Sequence, residues 1–172
     1  RECLGVFAAA STEGQETYAM VWRRSLNHRD LPQPGGGVIV EERSWLRASV
    51  GYDVMRTRRF YGLGADTQED DETSFTEATG FLRGLGQWSL PNPGSDWIAS
   101  AGVRYEHHDL ADGLVSDAGQ TTGEYPGLIA EGDDHDAVWL TAGLRYDTRD
   151  GLHHAYRGFH LGVDLDAAPV QS

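Results

Sequence analysis

The feature that most constrains this chain is a strict alternation of apolar and polar residues with a period of two. Leu144 and Tyr146 alternate with Arg145 and Asp147; further on, Phe159, Leu161, Val163 and Leu165 alternate with His160, Gly162, Asp164 and Asp166. Only an extended strand with one apolar and one polar face gives that period. Between the two runs, Thr148-Arg149-Asp150-Gly151 carries the Asp-Gly chemistry of a tight hairpin turn.

The same alternation recurs upstream. Tyr18, Met20 and Trp22 share a parity within Glu16–Ser25, as do Leu46, Ala48, Val50, Tyr52 and Val54 within Val38–Met55. Ala101, Val103 and Tyr105 oppose Gly102, Arg104 and Glu106 in Trp97–Asp109, and Val138, Leu140, Ala142, Leu144 and Tyr146 line one face of Ala137–Asp147. Leu4–Ala10 is a short apolar run, and Phe75–Leu90 a strand with apolar residues on both parities. Residues 101–106 and 142–147 repeat one pattern (Ala-Gly-apolar-Arg-Tyr-acid), as matched neighbouring strands would.

The result is about seven strands, several longer than the five or six residues usual in globular proteins and suited to a tilted span across a bilayer. Pro91–Asp96 and Thr148–Gly151 are tight connections, whereas Arg56–Thr73 and Leu110–Asp136 are long; Asn27–Gly37 is a loop of intermediate length. Alternation of short turns and long loops is the habit of outer-membrane barrels. The expected fold is therefore all-β: an antiparallel transmembrane β-barrel. Arg104, Glu106, Arg145 and Asp147 fall on the polar parity and are expected to face its lumen, since each would be costly against lipid.

Composition agrees with a barrel and excludes other classes. Hydrophobic residues make up only 39% of the 172 residues, with 22 Gly and 10% aromatics. A barrel needs apolar residues only at alternate positions, so low hydropathy is compatible with it. The net charge of -13 repels phosphate backbones, so no nucleic-acid partner is expected. Cys3 is the sole cysteine, which rules out an internal disulfide or a thiolate cluster. The chain is expected to carry no signal peptide of its own and to be part of a longer protein.

Two segments carry a resemblance. Tyr146-Asp147-Thr148-Arg149-Asp150, a short turn, then Arg157-Gly158-Phe159 leads into an alternating strand; upstream lies Arg59-Phe60-Tyr61-Gly62-Leu63-Gly64-Ala65-Asp66-Thr67, followed by an acidic run ending at Thr73. In this order they resemble the barrel of the BamA/TamA-like outer-membrane assembly superfamily, the bacterial surface antigen family. The resemblance covers roughly Ala19 to Asp166. It implies that the chain is the N-terminal half of a larger barrel in the bacterial outer membrane. Its partners would be outer-membrane lipid and other outer-membrane proteins, and its role protein insertion and assembly or that of a surface antigen. The matching residues Arg59, Phe60, Tyr61, Gly62, Gly64, Asp147, Thr148, Arg149, Asp150, Arg157, Gly158 and Phe159 would shape the barrel and do no chemistry. The soluble repeats, lid loop and closing strand that engage the family's clients have no counterpart here.

Candidate chemistry is sparse. The acidic runs Glu69–Glu72 and Glu131–Asp136 lack the ligand spacing of a calcium loop and read as solvated loops. His107 and His108 are adjacent on a strand, so their side chains point to opposite faces and cannot share an ion; His153-His154 lies near the turn. Gly62-Leu63-Gly64 lacks the third glycine and the strand–helix context of a dinucleotide site. No nucleophile–base set stands out, so neither catalysis, a cofactor nor a metal is expected. Two further readings remain open: the membrane barrel of a fused enzyme such as a lipid hydrolase, and a soluble lipocalin-like barrel, against which charges on the lumen parity argue.

Overall fold

The computed structural model describes residues 1–32, 35–62, 72–128, 133–149 and 157–171. Seven long strands meander through one antiparallel sheet: β1 (Glu2–Ala10), β2 (Gln15–Pro32), β3 (Val38–Phe60), β4 (Thr73–Leu90), β5 (Trp97–Asp112), β7 (Asp134–Asp147) and β8 (His160–Gln171). The eighth, β6 (Gly119–Gln120), pairs parallel with the start of β4 beyond the end of β5, and α1 (Thr121–Glu124) is a single helical turn. The sheet is open, with β1 and β8 at its two ends.

The expected strands are present, and most run further than their hydrophobic alternation. Asn27–Gly37 is not all loop: β2 continues to Pro32, and β3 begins at Val38. Irregular register at Ser25, Asn27 and His28 carries the pairing through a stretch whose pattern breaks. A second irregularity between Met55 and Arg58 lets β3 reach Phe60. The long connection after β5 is likewise structured. Gln120 bonds the backbone of Gly113 through both ends of its amide (2.9 and 3.1 Å), and Thr121 donates to Thr73 (2.9 Å).

Register assigns every strand a face, because directly opposed residues share a side. Ala101 pairs with Ala142, Val103 with Leu140 and Tyr105 with Val138. Leu82 faces Tyr105, Val50 faces Leu82, Met20 faces Val50, Val6 faces Met20, and Val163 faces Leu144. One continuous apolar face thus crosses all seven long strands.

That face is the exposed one. Val103, Leu140 and Leu144 are about half exposed, and Val163 is 62% exposed. Among the described residues the buried hydrophobics are only Val54, Ala78, Ile98 and Ala137. The buried polar set is larger: Glu41, Arg43, Ser44, Thr73, Ser74, Gln87, Ser89, Thr121 and Asp147. In a water-soluble domain the apolar face would be the covered one.

Candidate functional surface

The apolar face has a belt-like order. Tyr18, Tyr52 and Tyr105 stand toward one end, with Tyr18 directly opposite Tyr52. Trp88, Trp97 and Tyr146 stand toward the other, where Trp97 packs on Tyr146 (5.0 Å between rings) and Tyr146 on Phe159 (5.4 Å). On β5 the stretch from Trp97 to Tyr105 is nine residues, the lower end of the about 9–11 that a tilted strand uses to span a bilayer. Between them the face is mostly aliphatic and small residues, joined on β1 and β2 by Trp22 and by the opposed charges Glu2 and Arg24.

The opposite face carries the charges. Arg104 and Glu106 lie side by side on it (3.6 Å), and Arg83 donates to Glu106 (2.9 Å). Arg145 donates to Gln87 (2.8 Å), whose amide in turn donates to the Arg43 carbonyl (3.1 Å). Arg104, Glu106, Arg145 and Asp147 therefore share one face, as alternation predicts.

Beyond the Trp97–Tyr146 row, past the apolar belt, that face closes into a buried ion network. Asp147 accepts two bonds from the Arg149 guanidinium (2.9 and 2.7 Å) and one from its backbone N–H (3.2 Å), and His160 stands 3.4 Å away. Arg29 pairs with Glu41 (3.1 Å) and Asp96 (2.5 Å), and Arg43 pairs with Glu41 (2.9 Å). Arg43 also donates to the Asp147 carbonyl (3.3 Å), and Arg29 to that of Arg149 (3.3 Å). Three strand spacings separate β3 from β7, about 14 Å on a flat sheet, more than an arginine reaches. The sheet is thus curled over its polar face at this end.

The network sets its own electrostatics. The Arg149 guanidinium bonded to Asp147 holds that carboxyl down at about 2, from 3.8. Burial pushes Glu41 up, against the pull of Arg29. Arg43 is wholly buried, and two of its guanidinium nitrogens have no partner among the described residues.

The two motif segments sit at opposite ends of the sheet. At the network end, Thr148 and Phe159 exchange backbone and hydroxyl bonds (3.1 Å each), so the connection closes at its base. It runs from 148 to 159 and is longer than a four-residue turn; Asp150 and the Asp-Gly step lie outside the described residues. Gly158 has φ +94°, and a Cβ there would strike the Thr148 carbonyl, so only glycine fits. Arg157 precedes it. At the other end, Arg59 and Tyr61 both bond Glu72 (Tyr61 at 3.2 Å), Phe60 packs edge-on against Tyr125 (5.4 Å), and Gly62 takes φ +87°. Gly64 lies outside the described residues.

The histidines divide as strand geometry requires. His107 bonds Asp136 (3.0 Å) on the apolar face, whereas His108 bonds Glu77 (2.8 Å) on the polar one. His108 also stacks on His135 (4.5 Å), a neighbour that sequence reasoning did not single out. Among the described residues no group of three side chains is arranged to hold a metal; His153-His154 lies outside them. Arg29, Glu41, Arg43 and Asp96 were also missed. Arg29 and Asp96 sit in segments read as loop or turn, where alternation gives no signal; Glu41 and Arg43 lie in the expected strand Val38–Met55, where alternation puts Arg43 on the polar face and is silent on its partners.

No protein-family model, curated protein or solved structure matches the chain.

Proposed function

We propose that the chain is part of the wall of a β-barrel in a bacterial outer membrane, its apolar face against lipid and its polar face toward the lumen. The observation that carries this reading is the inverted burial: an exposed apolar face ordered between aromatic residues, and an opposite face that holds arginines and carboxylates and buries them at the network end. Lipid suits the bulk of the apolar face, while water would leave that face exposed. The resemblance of residues 59–73 and 146–159 to the bacterial surface antigen family supports the same reading. It suggests a role in outer-membrane protein assembly or as a surface antigen.

Such a wall needs no catalytic group. Its role is architectural, and its working parts are strand edges. Seven meandering strands leave β1 and β8 running in the same direction. An all-antiparallel closure therefore takes an odd number of further strands. The charges on the inward face weigh against a lipocalin-like ligand cavity, which would be lined with apolar side chains.

Cysteine scanning tests the proposal. With Cys3 replaced by Ser, cysteines at Val103, Leu140 and Leu144 should react with a lipid-soluble thiol probe, and cysteines at Ser100 and Thr141 with an aqueous one. Equal aqueous labelling at all five would defeat the membrane reading.

A further inference from the structure

On the polar face the register sets two pairs of arginines directly opposite one another: Arg23 with Arg47 on β2 and β3, and Arg83 with Arg104 on β4 and β5. Directly opposed like charges destabilise a sheet unless something lies between them. The second pair is settled within the chain. Glu106 stands between its members, 2.9 Å from Arg83 and 3.6 Å from Arg104. Both guanidinium groups also rest on aromatic rings, Arg83 on Phe81 (4.3 Å) and Arg104 on Trp139 (4.9 Å).

The first pair is incomplete. Arg23 is bonded to Glu42 (2.5 Å) and lies over Trp45 (5.1 Å). Arg47 is exposed and makes no hydrogen bond or ion pair among the described residues. A recess of about 490 Å³ opens beside it, lined by Arg1, Gly5, Val21, Arg23, Glu42 and Arg47 among others. Glu2, also at the recess, has its carboxylate bonded to the Trp22 indole (2.5 Å). The recess is locally positive on a chain whose net charge is -13.

We infer that Arg23 and Arg47 form a cross-strand clamp for a phosphate-bearing anion, which occupies the place that Glu106 fills between Arg83 and Arg104. Two planar forks on adjacent strands suit a tetrahedral group with several charged oxygens. Glu42, the carboxylate beside this pair, is bonded to Arg23 and leaves Arg47 without a counter-ion among the described residues. The clamp is independent of whether the sheet lies in a membrane.

The test is calorimetric titration of the protein with inorganic pyrophosphate, alongside capture of micelles doped with phosphatidic acid. Arg47→Gln and Arg23→Gln are compared with Arg104→Gln. Saturable binding that weakens about tenfold or more in the first two variants and survives in the third supports the clamp. Loss in both arms identifies phosphate itself as sufficient, and loss in the micelle arm alone identifies a lipid headgroup. No saturable binding in either arm, or an equal loss in Arg104→Gln, overturns it. Arg47 is exposed and has no ion pair among the described residues, so its substitution leaves the fold intact and the outcome readable.

Discussion

Val103 and Arg104 are neighbours on β5, and their surroundings follow opposite rules. Val103 is half exposed on a face of Leu, Val and Ala; Arg104 lies against Glu106 and Trp139 on the polar face. On the apolar face the side chains are near-equivalent, and total area matters more than any pairing. On the polar face most charges depend on a named partner, and that dependence grows toward the network end, where Arg43 and Glu41 are buried. Stability on one side is spread out; on the other it is concentrated in a few bonds.

The sharpest break should come at the network. Glu41→Ala leaves Arg43 buried beside an unfilled site, and should destabilise by about 3–5 kcal/mol in a denaturant titration. Replacing the pair together, Glu41→Leu with Arg43→Met, should recover most of that loss. A double variant as damaged as the single would mean that the network does more than neutralise itself.

On the apolar face, Leu140→Arg should cost about 2–4 kcal/mol in refolding into lipid if the position lies near the bilayer midplane. In water the same change should be almost silent, so the difference between the two media is the readout. A matching small effect in both would place this face outside lipid.

Acid should probe the network by a third route. Asp147 lies outside the apolar belt, and its carboxyl is held below its ordinary value. Its ionised form is therefore bound more tightly in the folded state. The stabilisation is complete above about pH 4 and is lost as pH falls toward 2, about 2 kcal/mol in all. Glu41, shifted upward, acts in the opposite sense. Unfolding titrations of Asp147→Asn should show a flattened acid limb; an unchanged limb would assign the acid sensitivity elsewhere.

The smallest effect belongs to the mid-wall. Glu106→Gln removes the carboxylate between Arg83 and Arg104, but Arg83 is largely solvated and both arginines keep their aromatic rings. A change of about 0.2–1 kcal/mol is expected. A loss comparable with Glu41→Ala would erase the contrast between the two parts of the polar face.

Side-chain alternation is a local property of an extended chain, so it was legible without any structure. It correctly placed the strands at 46–54, 101–106, 138–146 and 161–165, assigned Tyr105 and Leu144 to one face and Arg104 and Arg145 to the other, and kept His107 and His108 apart. What alternation cannot carry is register, since a slip of two residues preserves every face and changes every partner. The bonds of Arg29 and Arg43 to the carbonyls of Arg149 and Asp147, and the stack of His108 on His135, were decided by pairing across several strands. So was the reach of β2 to Pro32 and β3 to Phe60, where irregular register at Ser25–His28 and Met55–Arg58 absorbs breaks in the pattern. Each depends on contacts between residues distant in the chain, and only the tertiary structure brings those together.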